Sequence, residues 1–245
     1  MHRIRTALFF ALAVLLPGPH ANAQESQQKT ARAPLVVELY TSHGCSSCPP
    51  ADAIMEKLAA RQDIIALSCP VSYWDGPWSA NSSLSRDFCD VRQHGYADSL
   101  QTHDVYTPQM VVNGETQFIG SRANELENAL KKESPRAPLP IKLETKEDGI
   151  IRVTLPTLPV DGYLTYRLWG FGYKKNWTES VSGGENNGHT ITYANAARTY
   201  HNMGGWMGEE TIMDLKKPDE PIDGLVIFAQ ANGYGQIVAA GKIEF

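Results

Sequence analysis

The sequence predicts an α/β domain followed by an all-β domain with a sandwich-like arrangement of strands. Three observations support this interpretation. Strand-like and helix-like segments alternate over residues 34–133, a proline-rich linker occupies residues 134–140, and short strand-like segments separated by turn residues fill residues 141–245. Alternating strands and helices are typical of parallel sheets, whereas short and evenly spaced strands are typical of antiparallel ones.

Residues 1–23 have the composition of a secretory signal peptide. Arg3 and Arg5 precede an apolar run of ten residues, and Ala21 to Ala23 match a small-residue cleavage site, which predicts a cut before Gln24. An uncleaved anchor is the alternative, but ten residues are too few for a hydrocarbon core that needs roughly 20. We therefore expect a periplasmic or secreted protein with a flexible leader over residues 24–33 and no transmembrane segment in the mature chain.

A β-α-β unit opens the α/β domain. Leu35 to Tyr40 is an apolar strand interrupted only by Glu38, and a second strand covers Ile64 to Ser68. Between them, Cys48 to Leu58 has the composition of a helix. Because the connection is short, we expect parallel strands with a right-handed crossover.

The rest of this domain is predicted to contain a helical insert, a hairpin and a last helix. Gln109 to Val112 and Gln117 to Ile119 flank an Asn-Gly pair at Asn113, which is a strong hairpin signal. Ser121 is placed to cap the final helix. The predicted order is therefore β-α-β, a helical insert, and β-β-α.

The pattern of the C-terminal region predicts a series of strands. We assign no chemical function to this region. Turn residues such as Gly183-Gly184 and Asn232-Gly233 separate most of these strands. The predicted strands are Ile141–Glu144, Ile150–Leu155, Tyr163–Gly172, His189–Tyr193, Gly224–Ala231 and Gln236–Phe245.

The strongest chemical signal is the pair Cys45 and Cys48, separated by two serines at the start of the first predicted helix. A Cys-x-x-Cys pair in a strand–turn–helix setting is typical of a redox-active dithiol. The helix N-terminus favours the thiolate, which is the reactive form. We expect Cys45 to be the exposed nucleophile and Cys48 the buried resolving thiol. A static structural disulfide is the alternative.

Two motifs extend this signal into a family resemblance. The chain carries VELYTSHGCSSCPPAD at residues 37–52 and VYTPQMVVNG at residues 105–114. It thereby resembles a family of secreted bacterial thioredoxin-like proteins that is catalogued as a domain of unknown function. The resemblance implies a thioredoxin fold followed by a β-rich domain. Where the family shows His-Val-Asp before Tyr-Trp-Asp, this chain has Pro70-Val71-Ser72, so no role of that His or Asp transfers.

The same resemblance implies a substrate-binding element at Thr107-Pro108. Thioredoxin folds place a cis proline beside the Cys-x-x-Cys pair, immediately before a strand, and Pro108 immediately precedes Gln109. A cis Pro108 would leave the backbone of Thr107 free to pair with an extended substrate.

Three further side chains are candidates with two interpretations each. Glu38 is either a buried carboxylate that moves protons for Cys48 or a structural carboxylate. His43 either stabilises the Cys45 thiolate or is an exposed loop residue. Trp74, in an aromatic loop, either binds an unfolded polypeptide or covers the edge of the core.

Compared with the family that the chain resembles, Cys69 and Cys89 are additions to the pattern. Exported thiols usually pair, which predicts a structural Cys69–Cys89 disulfide. The alternatives are a second redox pair that exchanges with Cys45–Cys48, and a thiolate site for copper or zinc built from the four cysteines.

Together these features predict an exported thiol–disulfide oxidoreductase that acts on protein thiols or disulfides with an unidentified redox partner. No organic cofactor is needed for this chemistry. The net charge of −5 provides no basic surface for nucleic acid. The alternatives are a soft-metal (copper or zinc) handling protein that uses the cysteines, and a non-catalytic binding module with a structural disulfide.

Overall fold

A nine-stranded mixed sheet organises the computed structural model, which describes residues 32–76, 82–102, 104–158 and 165–245. The predicted signal peptide, its cleavage site and nearly all of the predicted leader lie outside the described residues. Within the described ranges, no helix has the length and apolar character to cross a bilayer.

The N-terminal half follows the predicted order of elements. Strand β1 pairs in parallel with β2, with Leu35 opposite Ile64, and in antiparallel with β3 on its other side. All seven residues of β1 are buried, which explains its nearly continuous apolar run. The elements are β1 Leu35–Thr41, α1 Pro49–Ala59, β2 Ile64–Pro70, α2 Asp87–Ser99, β3 Gln109–Val112, β4 Thr116–Ile119 and α3 Ala123–Glu133.

The C-terminal half is almost entirely β-structure. Its strands are β5 Leu139–Pro140, β6 Lys142–Thr145, β7 Ile150–Leu155, β8 Tyr166–Ser180, β9 Thr190–Trp206, β10 Thr211–Lys216, β11 Gly224–Ala231 and β12 Ile237–Glu244. The large sheet has the order β4-β3-β1-β2-β9-β8-β11-β12-β5, and β10-β7-β6 forms a separate three-stranded sheet.

The two halves share the large sheet. Strand β9 lies beside β2 and meets it in parallel at the pair Ser68 and Ala196. The proline-rich segment continues into β5, which pairs with β12. The result is a mixed α/β fold with one large sheet and few helices. In the C-terminal half the small sheet packs face to face on the large one, with Val153 and Ile227 in the shared core.

Several element boundaries differ from the prediction. Strand β9 was expected to end at Tyr193 but runs to Trp206, because its polar second half is paired with β8. Strand β10 was not predicted; its alternating half-buried and exposed residues lie at the edge of the small sheet. Helix α3 has Arg122 rather than Ser121 at its N-cap, with no side-chain cap hydrogen bond.

The two faces of β1 belong to different cores. Leu35, Val37 and Leu39 pack with the apolar side of α1. Val36 and Tyr40 point to the opposite face, where they pack with α2 and with strands of the C-terminal half. Because side chains alternate along a strand, this pattern also decides which core each polar residue of β1 faces.

Candidate active site

Cys45 and Cys48 form a disulfide at the N-terminus of α1, with a Cα–Cα distance of 5.4 Å. A turn over residues 42–44 follows β1, and two prolines open the helix with Cys48 at its N-cap. The backbone N–H of Cys48 donates to the carbonyl of Cys45 at 3.1 Å, and that of Ala51 donates to the carbonyl of Cys48 at 2.8 Å. The short turn therefore presents both sulfur atoms to the positive end of the helix.

The disulfide is buried, so the prediction of an exposed Cys45 is wrong for this state. Cys45 is 1% exposed and Cys48 is 0% exposed. The turn between β8 and β9, residues 181–189, contacts the cysteine turn. There the side-chain amide of Asn186 donates to the carbonyl oxygens of His43 at 2.8 Å and of Cys45 at 2.9 Å. His43 is also buried, which contradicts the interpretation of an exposed loop residue.

Thr107 and Pro108 lie beside the start of α1, and the predicted cis bond between them is confirmed. A Cβ atom placed on Gly120 would lie 3.2 Å from the Cβ of Ala51 and 3.4 Å from that of Pro108. Pro108 is therefore close to the first turn of the helix that carries Cys48. Trp74 is 39% exposed, and its indole N–H donates to the hydroxyl of Thr107 at 2.8 Å.

Glu38 is held by an arginine on the face of the sheet opposite α1. Its carboxylate accepts two hydrogen bonds from Arg92, at 2.5 and 2.9 Å, and one from the hydroxyl of Tyr96 at 2.5 Å. Burial is the largest single influence and lowers the pKa of Arg92, but the charge and hydrogen bond of Glu38, together with Tyr96 and Tyr40, hold that pKa well above its usual value. The contacts of Glu38 are those of a structural carboxylate, and the structure does not place it beside Cys48.

Cys69 and Cys89 form a second disulfide, so this predicted pairing is confirmed. Both residues are fully buried, and the bond ties the end of β2 to α2 in the same core as Tyr40. This disulfide lies on the face of the sheet opposite α1. With all four cysteines paired, the metal-handling alternative concerns the reduced protein. Across the described ranges, no group of three or more His, Cys, Asp or Glu side chains is arranged to hold a metal ion.

Comparison with known families decides the classification. A family described as "Protein of unknown function (DUF1223)" matches residues 36–230. The chain belongs to this family. No curated protein matches this DUF1223 sequence.

Two solved structures share the fold of this DUF1223 member. A protein of Agrobacterium tumefaciens, solved by a structural genomics consortium, superimposes with a TM-score of 0.73 at 23% identity, over 87% of this chain and 95% of that one. HBP35 of Porphyromonas gingivalis superimposes with a TM-score of 0.60 at 14% identity, over 87% of this chain and 76% of that one. At these identities the likeness concerns the fold alone.

Asp52 is a residue of the site that was not predicted from the sequence of this DUF1223 protein. Asp52 lies in the first turn of α1, and its backbone N–H donates to the carbonyl of Cys48 at 3.1 Å. The carboxylate is buried, and its Oδ1 accepts a hydrogen bond from the hydroxyl of Thr41 at 2.8 Å. Burial raises the pKa of Asp52 to about 8, against the lowering effect of the Thr41 hydrogen bond. The available signal was the four-residue spacing from Cys48, which puts both side chains on one helix face.

Asn186 was the second residue that sequence reasoning missed. The polar turn around it was recognised, but nothing in its composition connects it to a cysteine turn 141 residues earlier in the chain. Gly184 and Gly188 on either side of Asn186 have positive φ angles of 69° and 83°. Glycine tolerates such angles without strain, which lets the turn bend so that Asn186 points inward.

Proposed function

We propose that the chain has a thioredoxin-like arrangement and catalyses thiol–disulfide exchange on protein substrates outside the cytoplasm. The observation that carries the proposal is the Cys45–Cys48 disulfide at the N-terminus of α1. The neighbouring Thr107–Pro108 segment also supports it. A helix N-terminus stabilises a thiolate, and a thiol with a lowered pKa is both a better leaving group and more fully ionised at neutral pH.

In the oxidising direction, a substrate thiolate attacks Sγ of Cys45. The substrate–Cys45 disulfide forms, the Cys45–Cys48 bond breaks, and Cys48 leaves as a thiolate. A second substrate thiolate then attacks the substrate sulfur and releases Cys45, so that the substrate is oxidised by two electrons and the protein is reduced. The reducing direction is the reverse of these steps, with Cys48 resolving the mixed disulfide.

The surroundings of Thr107 favour a polypeptide substrate. Tyr73 and Trp74 are 43% and 39% exposed, and Trp74 is hydrogen-bonded to Thr107. Large aromatic side chains with one polar atom are typical of surfaces that bind other chains. Because Cys45 is buried in the disulfide form, such a substrate reaches its sulfur only after a local movement, and we propose that the turn at residues 181–189 moves away.

The trapping of a mixed disulfide tests this proposal. With Cys48→Ala, the Cys45 thiolate attacks a substrate disulfide, stays bound to one substrate sulfur and releases the other as a thiolate, whereas Cys45→Ala forms no such bond at position 45. We expect Cys48→Ala to accumulate a one-to-one adduct with a cysteine-containing peptide disulfide, detected by mass spectrometry. The variant Cys69→Ala/Cys89→Ala controls for the second disulfide and should keep full exchange activity. Equal exchange rates for the wild type and Cys45→Ala would refute the proposal.

A non-catalytic binding module is the second candidate function. The observation that favours it is the burial of Cys45, since a structural disulfide needs no access to its sulfur atoms. In that case the Cys45–Cys48 bond should resist glutathione and mild dithiols as strongly as the buried Cys69–Cys89 bond does.

A further inference from the structure

Asp52 is a buried acidic residue one helical turn after Cys48. Its side chain is 3% exposed. Oδ1 is bound by Thr41, whereas Oδ2 has no hydrogen-bond partner among the described residues. A buried carboxylate oxygen without a partner is costly, so it calls for a specific explanation.

Among the described residues, the groups that interact electrostatically with this carboxylate come from three elements, and none of these groups is positively charged. Thr41 of β1 donates its hydrogen bond, and Glu56 on the same helix adds a negative charge that raises the pKa of Asp52 further. From β9, Tyr193 is close enough for the charge of Asp52 to raise the pKa of its phenol, in addition to the larger effect of burial. The Tyr193 hydroxyl is also buried without a hydrogen-bond partner among the described residues.

Cys48 is a reactive group on the same helix face, four residues before Asp52. Residues four apart on a helix have Cβ atoms about 5–6 Å apart, and both of these side chains point into the protein. This separation allows a proton to pass directly or through one water molecule. Glu38 cannot do the same, because it faces the opposite core and its carboxylate is taken up by Arg92.

We propose that Asp52 is the proton acceptor and donor for Cys48, a role that rests on the proposed exchange activity. During resolution of a mixed disulfide, Asp52 takes the proton from the Cys48 thiol. The Cys48 thiolate attacks Sγ of Cys45, the Cys45–Cys48 bond forms, and the substrate sulfur leaves as a thiolate. In the opposite direction, the protonated carboxyl of Asp52 returns the proton to Cys48 as the disulfide opens.

The acidity of the two groups suits this transfer. The carboxyl of Asp52 has a pKa of about 8, and an ordinary thiol has one of about 8.5. Proton transfer between groups of nearly equal pKa requires little free energy in either direction. An ordinary aspartate, with a pKa of about 4, would hold the proton of Cys48 far too weakly.

The test compares Asp52→Asn with Glu56→Gln. Asn keeps the shape of the side chain and an oxygen that accepts from Thr41, but it does not exchange protons. Glu56→Gln removes one negative charge from the exposed side of the same helix. The reduced proteins are mixed with oxidised glutathione between pH 5 and pH 10, and the formation and resolution of the Cys45–glutathione disulfide are followed by acid quenching and mass spectrometry.

We expect Asp52→Asn to slow the resolution step about tenfold at pH 7 and to move the inflection in its pH profile from near pH 8 to the higher pKa of the unassisted Cys48 thiol. Glu56→Gln should keep the wild-type rate at pH 7, with an inflection slightly below pH 8 because Glu56 raises the pKa of Asp52. Formation of the mixed disulfide at Cys45 should change less than threefold. A resolution step with the same rate and pH profile in Asp52→Asn and the wild type would overturn the role of Asp52.

Two further outcomes keep the inference separate from the proposed function. If the wild type forms no mixed disulfide at Cys45, the exchange activity itself fails, and the role of Asp52 fails with it. If Asp52→Asn does not fold, Thr41→Val provides the test, because losing the Thr41 hydrogen bond raises the pKa of Asp52. The inflection should then move above pH 8, and an unmoved inflection would refute the inference.

Discussion

The side-chain amide of Asn186 lies 2.9 Å from the carbonyl oxygen of Cys45, a contact between residues 141 positions apart in the sequence. The same amide nitrogen also donates to the carbonyl of His43. One side chain from the β8–β9 turn therefore holds both ends of the turn that leads into the disulfide. This contact joins the all-β half of the chain to the redox-active candidate and covers Cys45.

Replacement of Asn186 is expected to weaken the contact between the turn at residues 181–189 and the cysteine turn. Asn186→Ala removes a donor from two carbonyl groups, of which that of Cys45 keeps its hydrogen bond from Cys48, at a cost of roughly 1–3 kcal/mol in the free energy of unfolding. It should also speed the reduction of Cys45–Cys48 by glutathione several-fold. Chemical denaturation and quenched reduction kinetics measure the two effects. Asn187→Ala, on the exposed neighbour, is the matched control, and identical behaviour of the two variants would show that Asn186 does not close the site.

Removing one partner of the Glu38–Arg92 pair should destabilise the fold. Glu38→Gln leaves the guanidinium of Arg92 charged in a fully buried position, and breaking a buried pair in this way typically costs 3–5 kcal/mol. The double variant Glu38→Gln/Arg92→Met should recover part of that loss, because it removes the unpaired charge. Urea denaturation tests both statements, and a double variant less stable than Glu38→Gln would contradict them.

Asp52 is expected to make stability depend on pH. The carboxyl has a pKa of about 8 in the folded protein, because burial disfavours its charged form, and of about 4 in the unfolded chain. Between these values the unfolded chain has lost a proton that the folded protein still holds, so rising pH favours unfolding. The contribution of Asp52 is fully present below about pH 4 and falls by a few kcal/mol up to pH 8.

Asp52→Asn should remove this dependence. Relative to the wild type, the variant should therefore gain stability on going from pH 5 to pH 9. Denaturation midpoints at the two pH values provide the measurement, with Glu56→Gln as control. Parallel pH profiles for Asp52→Asn and the wild type would mean that the carboxyl is already ionised near pH 5.

The second disulfide is expected to stabilise the fold without taking part in exchange. Cys69 and Cys89 close a loop 20 positions long, for which the loss of unfolded-state entropy is about 3 kcal/mol. Cys69→Ala/Cys89→Ala should lower the free energy of unfolding by roughly that amount and leave the exchange rate at Cys45 unchanged. If the variant is still folded but its exchange rate at Cys45 falls strongly, the Cys69–Cys89 disulfide takes part in electron transfer.

Local features were predicted well from the sequence. The apolar runs of β1 and β2, the helix after Cys48 and the hairpin at Asn113 follow from periodicity and turn chemistry, which depend on neighbouring residues. The cis bond at Pro108 followed from the family resemblance rather than from these local rules.

Long-range contacts escaped prediction for a physical reason. The nearly continuous apolar run of β1 indicates that Glu38 is buried, but not that Arg92, 54 residues later, is its partner. The pairing of β9 with β2 depends on a single residue pair, and no local pattern specifies it. The hydrogen bond from Asn186 to the carbonyl of Cys45 likewise joins residues 141 positions apart, and no local pattern specifies it.

The reduction potential of Cys45–Cys48, measured against a glutathione series with disulfide mapping at each point, tests the exchange activity most directly. We predict a value between about −270 and −120 mV, the range of known exchange catalysts, with Cys69–Cys89 intact throughout. A value below about −300 mV is typical of structural disulfides and would contradict the proposed activity.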